Sequence, residues 1–83
     1  MYYIYIIYSE SKDKYYTGYT ENISTRLEKH NAGATPSTKA GRPWKLVYHE
    51  RFENKTDAIK REIQVKSKKS RIFIENLIKS TKG

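Results

Sequence analysis

The sequence predicts a small α+β domain, with a three-stranded antiparallel sheet flanked by three helices in the order β-β-α-β-α-α. Three observations carry that expectation. Tyr2 to Tyr8 and Tyr15 to Thr20 are rich in the aromatic and β-branched residues that suit a pleated sheet. Only the polar break Ser9 to Lys14 separates them, too short for a crossover helix, so the two runs should pair as an antiparallel hairpin. Asn22 and Ser70 stand at the starts of stretches with helical apolar spacing, where their side chains can cap a first turn, and Asn54 to Thr56 opens another such stretch between them. A chain of 83 residues without cysteine holds a single core, hence one domain over residues 1–83, with no disulfide or thiolate metal site to staple it.

Each element follows from its residues. Tyr2 to Tyr8 is apolar or aromatic on both faces, which places it in the middle of the sheet. In its hairpin partner, Gly18 marks either a bulge or the close approach of another group. The first helix, Asn22 to Asn31, carries Ile23 and Leu27 at i, i+4 and ends at Ala32-Gly33. Arg26 and His30 form a parallel column beside that stripe, at the edge of the buried face. Ala32 to Pro43 reads as a loop whose length suits either a functional segment or a flexible connector, with Lys39 and Arg42 placed to meet phosphate. Trp44 to Phe52 alternates as a third strand, with Trp44, Leu46, Tyr48 and Phe52 expected on one face. The second helix starts at Asn54 to Thr56 and runs to about Ser67. The third spans Arg71 to Ser80 and buries Ile74, Leu77 and Ile78.

The formal charge is +8, and it is uneven. Residues 60–83 hold eight basic and two acidic side chains, a balance of +6; residues 1–59 hold nine and seven, a balance of +2. Such asymmetry suits a polyanionic partner, nucleic acid before an anionic membrane surface, although it also suits a solvated helix face. Lys66, Lys68, Lys69 and Arg71 are the candidate contacts there. The N-terminal run has no basic lead of a signal peptide, and no apolar stretch reaches the length of a bilayer span. A cytoplasmic, soluble protein is the expectation.

The second helix contains an anomaly. Its apolar arc is drawn by Ala58, Ile59, Ile63 and Val65; Glu62 falls inside that arc, whereas Lys60 and Arg61 fall outside it. An uncompensated carboxylate on a buried face costs several kcal/mol, roughly the scale of a small domain's stability. Two compensations are open. One is an ion pair with Lys66 one turn on, or with Arg26 across the fold. The other is a divalent metal, Mg²⁺ or Mn²⁺, since both favour carboxylate oxygen. No phosphate-binding glycine loop, zinc-protease helix or serine-histidine-aspartate set is present to suggest another chemistry. Tyrosines, an Arg/His column, a lone carboxylate and a basic chain together are the parts that phosphodiester cleavage uses.

Tyr3-Ile4-Tyr5, then Tyr16-Thr17-Gly18 with ten residues between Tyr5 and Tyr16, then Arg26-x-x-x-His30 and Glu62, in that order, resemble the GIY-YIG nuclease domain. Within that family the chain is similar to the small stand-alone, single-domain subgroup and to the nuclease part of the bacterial excision-repair incision subunit. The resemblance covers nearly the whole chain. It implies a metal-dependent endonuclease of DNA, acting in repair or processing, with one Mg²⁺ or Mn²⁺ on Glu62. Tyr16 or a water near it would be the general base, Tyr5 would orient that water or the phosphate, Arg26 would stabilise developing charge, and His30 would assist by hydrogen bonding or proton transfer. Tyr3 stands in place of the family's glycine and Thr17 in place of its isoleucine. For the asparagine that many members carry after the metal glutamate, the candidate is Asn76. A noncatalytic nucleic-acid-binding module on the same fold is the alternative, and family members often take specificity from a partner domain or protein.

Overall fold

In the computed structural model, which describes residues 1–80, the long aromatic strand is the centre of the molecule. β1 (Tyr2–Ser9) lies between β2 (Lys14–Thr20) and β3 (Trp44–Phe52), antiparallel to both, in the order β2-β1-β3. With hydrogen-bonded neighbours on both sides, β1 buries alternate residues on each face of the sheet. Ile4 and Ile6 point one way, into a core with Tyr48, Ala58 and Val65; Tyr5 and Ile7 point the other way, beside Trp44.

Three helices cover these faces. α1 (Ile23–Asn31) lays Ile23 and Leu27 over the Tyr5/Ile7 side. α2 (Lys55–Lys68) and α3 (Arg71–Ser80) close the Ile4/Ile6 side, with Phe73, Ile74, Leu77 and Ile78 of α3 packed against it. The caps expected at Asn22 and Ser70 are present, and Asn54 supplies a third. The side chains of Asn22, Asn54 and Ser70 accept hydrogen bonds from the backbone N–H groups of Thr25, Asp57 and Phe73, which satisfies donors that the first turn leaves unpaired. Gly33, at φ +80°, takes the left-handed conformation that ends α1.

β3 departs from the expected single face. Ile6 pairs with Tyr48, but Ile7 pairs with Leu46, so Val47 is an extra residue in the ladder. This β-bulge shifts the alternation by one position. Trp44 and Leu46 consequently join the Tyr5 side, while Tyr48 and Phe52 join the Ile4 side. One strand contributes to both cores.

α2 also differs from its helical-wheel reading. Ile63 is 60% exposed, so it does not belong to the buried arc. The inward line runs through Ala58 and Val65, flanked by two half-buried charged residues, Glu62 and Arg61. Arg61 was expected outside the arc. It is drawn in by a two-pronged ion pair with Glu50 on β3, with Nε–Oε1 and Nη2–Oε2 both at 3.0 Å, and the Tyr48 hydroxyl donates to the same carboxylate. Burial resists ionisation of Glu50, yet the hydrogen bonds from Arg61 and Tyr48 outweigh it and hold the carboxyl below its usual value.

The loop between α1 and β3 is fastened at both ends rather than a loose connector. It contains a short 3₁₀ turn, Lys39–Gly41. Asn31 grips the backbone of Trp44 from both sides, donating to its carbonyl at 3.1 Å and accepting from its N–H. The Trp44 indole Nε1 in turn donates to the Thr38 carbonyl at 2.6 Å. The ring lies so close to Gly41 that a Cβ there would stand 2.5 Å from it.

Candidate active site

The tyrosine-bearing face meets α1 in a chain of polar side chains. Tyr5, on the central strand, places its hydroxyl 2.8 Å from His30 Nε2, and Arg26 Nε approaches the same oxygen at 3.4 Å. Arg26 and His30 sit one helical turn apart on α1, so the column expected at the edge of the buried face reaches one atom of β1. Guanidinium can only donate. The Tyr5 oxygen therefore accepts from Arg26, and its single proton can go to His30 Nε2 when that nitrogen is unprotonated. The ring fits because the cross-strand partner of Tyr5 is Gly18, where a Cβ would lie 2.5 Å from the hydroxyl. The β1–β2 ladder has no bulge, so close approach accounts for that glycine.

Burial governs the electrostatics. It pushes the Tyr5 hydroxyl above its ordinary value; the hydrogen bond and charge of Arg26 oppose this, and Tyr16 and Glu62 add to it. His30 is fully buried, and burial followed by the charge of Arg26 holds its imidazole below the ordinary 6.5, so it is neutral at pH 7. The consequence for stability has a definite sign. As pH falls below about 6.5 the unfolded chain takes up the His30 proton before the folded one does, so stability falls until the folded value is passed. A urea titration between pH 7.5 and 5 should show a declining midpoint in the native chain, and this part of the decline should be missing from His30→Gln.

Tyr16 and Glu62 border this chain from the sheet edge. The Tyr16 ring packs against His30 and Trp44, with centroids 5.3 and 6.4 Å apart. It forms a ridge between two hollows. The larger, about 420 Å³, is lined by Tyr15, Val65, Lys66, Lys69 and Arg71; the smaller, about 290 Å³, by Lys14, Gly41 and Trp44. The Glu62 side chain is 15% exposed and pairs with Lys66 Nζ at 3.0 Å, while the same ammonium lies 5.6 Å from the Tyr16 ring centroid. Of the two compensations open to Glu62, the ion pair with Lys66 is therefore present.

A divalent ion fits beside Glu62 on the chemistry of the donors. The carboxylate already holds a cation, that ammonium, at the margin of solvent. Among the described residues no cluster of three or more His, Asp or Glu side chains surrounds it. A single carboxylate suits a hard ion such as Mg²⁺ or Mn²⁺, which keeps several waters and takes its other ligands from a phosphate.

The remaining candidates are spread around this centre. Lys66, Lys68 and Lys69 are exposed at the end of α2, where Lys69 is the left-handed cap, and the Lys68 ammonium lies over the Phe73 ring. Arg71 is compensated internally, by Asp13 at 2.6 Å and Glu75 at 3.2 Å. Lys39 and Arg42 are exposed on the loop, joined by a hydrogen bond from Arg42 Nε to the Lys39 carbonyl. Asn76 is exposed on α3. Sequence reasoning missed Thr38, which is 1% exposed and lies 2.7 Å from His30 Nδ1. The available signal was indirect, in that an asparagine ending α1 and a tryptophan opening β3 bracket the loop that carries it.

The family model described as GIY-YIG catalytic domain matches residues 1–77, and the chain belongs to that family, whose domains are generally nucleases. Among its relatives are the UPF0213 protein of Staphylococcus aureus strain Mu3 and UPF0213 protein SAV0488 of strain Mu50. Each is 47% identical over 53 residues, covering 63% of this chain and 65% of the relative, so the match spans just under two thirds of those relatives' length. The solution NMR structure of UPF0213 protein BH0048 from Bacillus halodurans superposes with a TM-score of 0.59 at 34% identity, covering 95% of this chain and 84% of that one.

Proposed function

We propose that this protein is a metal-dependent endonuclease that hydrolyses phosphodiester bonds of DNA, in repair or processing, in the cytoplasm and with a partner that supplies specificity. The observation that carries the reading is the Arg26–Tyr5–His30 hydrogen-bond chain beside Glu62, whose carboxylate is mostly buried. Glu62 would hold one Mg²⁺ or Mn²⁺, which when bound neutralises phosphate charge. For that, the Lys66 ammonium leaves Glu62 and is free to meet a phosphate oxygen.

The proton path follows from the donors. Neutral His30 can accept at Nε2. Tyr5 hands its proton there as it takes one from the attacking water, the water oxygen bonds to phosphorus, and the sugar oxygen leaves and is protonated by solvent. Arg26 steadies the Tyr5 oxygen and offers its remaining N–H groups to the phosphate. Tyr16, whose hydroxyl makes no side-chain hydrogen bond among the described residues, positions water or phosphate. The roles of the two tyrosines implied by the resemblance are thereby exchanged, because only Tyr5 has a proton acceptor.

The test is cleavage of a panel of duplex, branched and single-stranded DNA by purified protein with Mg²⁺, Mn²⁺ or EDTA. Cutting that needs metal supports the reading, and no cutting with either metal across the panel ends it. The Glu62–Lys66 ion pair favours a second reading, a noncatalytic binding module, which predicts binding indifferent to metal. In either case the exposed lysines should contribute by counterion release. Lys68→Ala with Lys69→Ala should flatten the slope of log K against log salt on duplex DNA by about 2, measured by fluorescence anisotropy.

A further inference from the structure

We infer that Thr38 is a positioning residue that fixes the tautomer of His30, so that Nε2 is the open acceptor facing Tyr5. This rests on the nuclease reading only for its consequence, not for its geometry. The Thr38 hydroxyl has two neighbours, His30 Nδ1 at 2.7 Å and the Thr35 carbonyl at 3.3 Å. A carbonyl can only accept, so the one hydroxyl proton goes to Thr35 and a lone pair faces Nδ1. His30 must then carry its proton on Nδ1. The other end of the ring accommodates this state but does not impose it: the Tyr5 oxygen accepts from Arg26 and can either give its proton to Nε2 or accept from it, so the choice falls to Thr38. The five groups form one directed series, from Arg26 through Tyr5, His30 and Thr38 to the Thr35 carbonyl, and each donor has an acceptor.

The surroundings make the arrangement rigid. His30 and Thr38 are 0% and 1% exposed, so water does not replace either partner. The Thr38 backbone is held separately, through its carbonyl, by the Trp44 indole. Removing the hydroxyl alone should leave the loop in place. With no acceptor at Nδ1, the buried ring is expected to move its proton to Nε2, where the Tyr5 oxygen can turn to accept it through its second lone pair. Tyr5 then loses the site into which it releases its proton.

The experiment is ¹⁵N NMR of the His30 imidazole at pH 7.5 in native protein, Thr38→Val and Thr38→Ser. The expected native spectrum has a protonated Nδ1 and an unprotonated Nε2. Thr38→Val should show the opposite tautomer or a mixture, and Thr38→Ser should match the native spectrum. A native ring protonated at Nε2, or an unchanged spectrum in a folded Thr38→Val, would overturn the inference; the native and serine spectra decide it even if the valine variant fails to fold. On a cleavable DNA, Thr38→Val should lower kcat about 10- to 100-fold with KM unchanged while Thr38→Ser retains activity. A raised KM at native kcat contradicts the positioning role. Should the protein cut no DNA, the NMR result still stands or falls by itself, so the two readings fail separately.

Discussion

Glu62→Gln should lower DNA cleavage by about 10²-fold or more while leaving the fold intact. The substitution keeps the shape of a half-buried side chain and removes one charge. In the resting fold it costs only the ion pair with Lys66, which lies at the solvent margin and is therefore worth little. Under the proposed mechanism it removes the carboxylate that would hold the metal. The predicted signature is a large activity loss together with a thermal midpoint within a few degrees of the native one, read by calorimetry beside a gel-based cleavage assay. Added Mn²⁺ should not restore the rate. Native-like cleavage by this variant would remove Glu62 from the site.

Tyr5→Phe is expected to reduce kcat by about 10²- to 10⁴-fold, the range for losing a positioned general base or acid. The ring would remain in its place against Gly18, so packing changes little. The loss is confined to an oxygen that joins Arg26 to His30, and His30 Nε2 is left buried without its donor, at a cost of about 1–3 kcal/mol. Tyr16→Phe is the informative comparison. If Tyr5 relays the proton, Tyr5→Phe is the more damaging of the two across the pH range; if Tyr16→Phe abolishes cleavage and Tyr5→Phe does not, the relay is wrong. Single-turnover kinetics on one DNA substrate settle the order.

The architecture was largely legible because its signals are local. Asn22, Asn54 and Ser70 mark their helices through hydrogen bonds that span three residues. The tyrosine runs identify the hairpin through the shortness of the break between them. What escaped depends on pairing across the sheet. Nothing in the order Trp44 to Phe52 announces that Val47 stands outside the ladder, because a bulge is a relation between two strands. Arg61 read as a solvent residue because its partner Glu50 lies on another element. For the candidate site, Tyr5, Arg26 and His30 were named in advance and do converge, whereas Thr38 was hidden among small polar loop residues. Its hydroxyl gains significance only when the Asn31–Trp44 clasp folds that loop over α1.

The extra residue in β3 has a consequence beyond the sheet. Because Val47 shifts the phase of the strand, its two halves answer to different parts of the molecule. The Tyr48 to Phe52 half belongs to the core under α2 and α3, and the Trp44 to Leu46 half anchors the loop that carries Thr38. Without the bulge, the same nine residues in a regular ladder would turn Trp44 toward the Tyr48 side. The larger core would be spared and the loop released. The stability of this small protein and the order of its polar cluster are thus separable properties, divided at a single position in the chain.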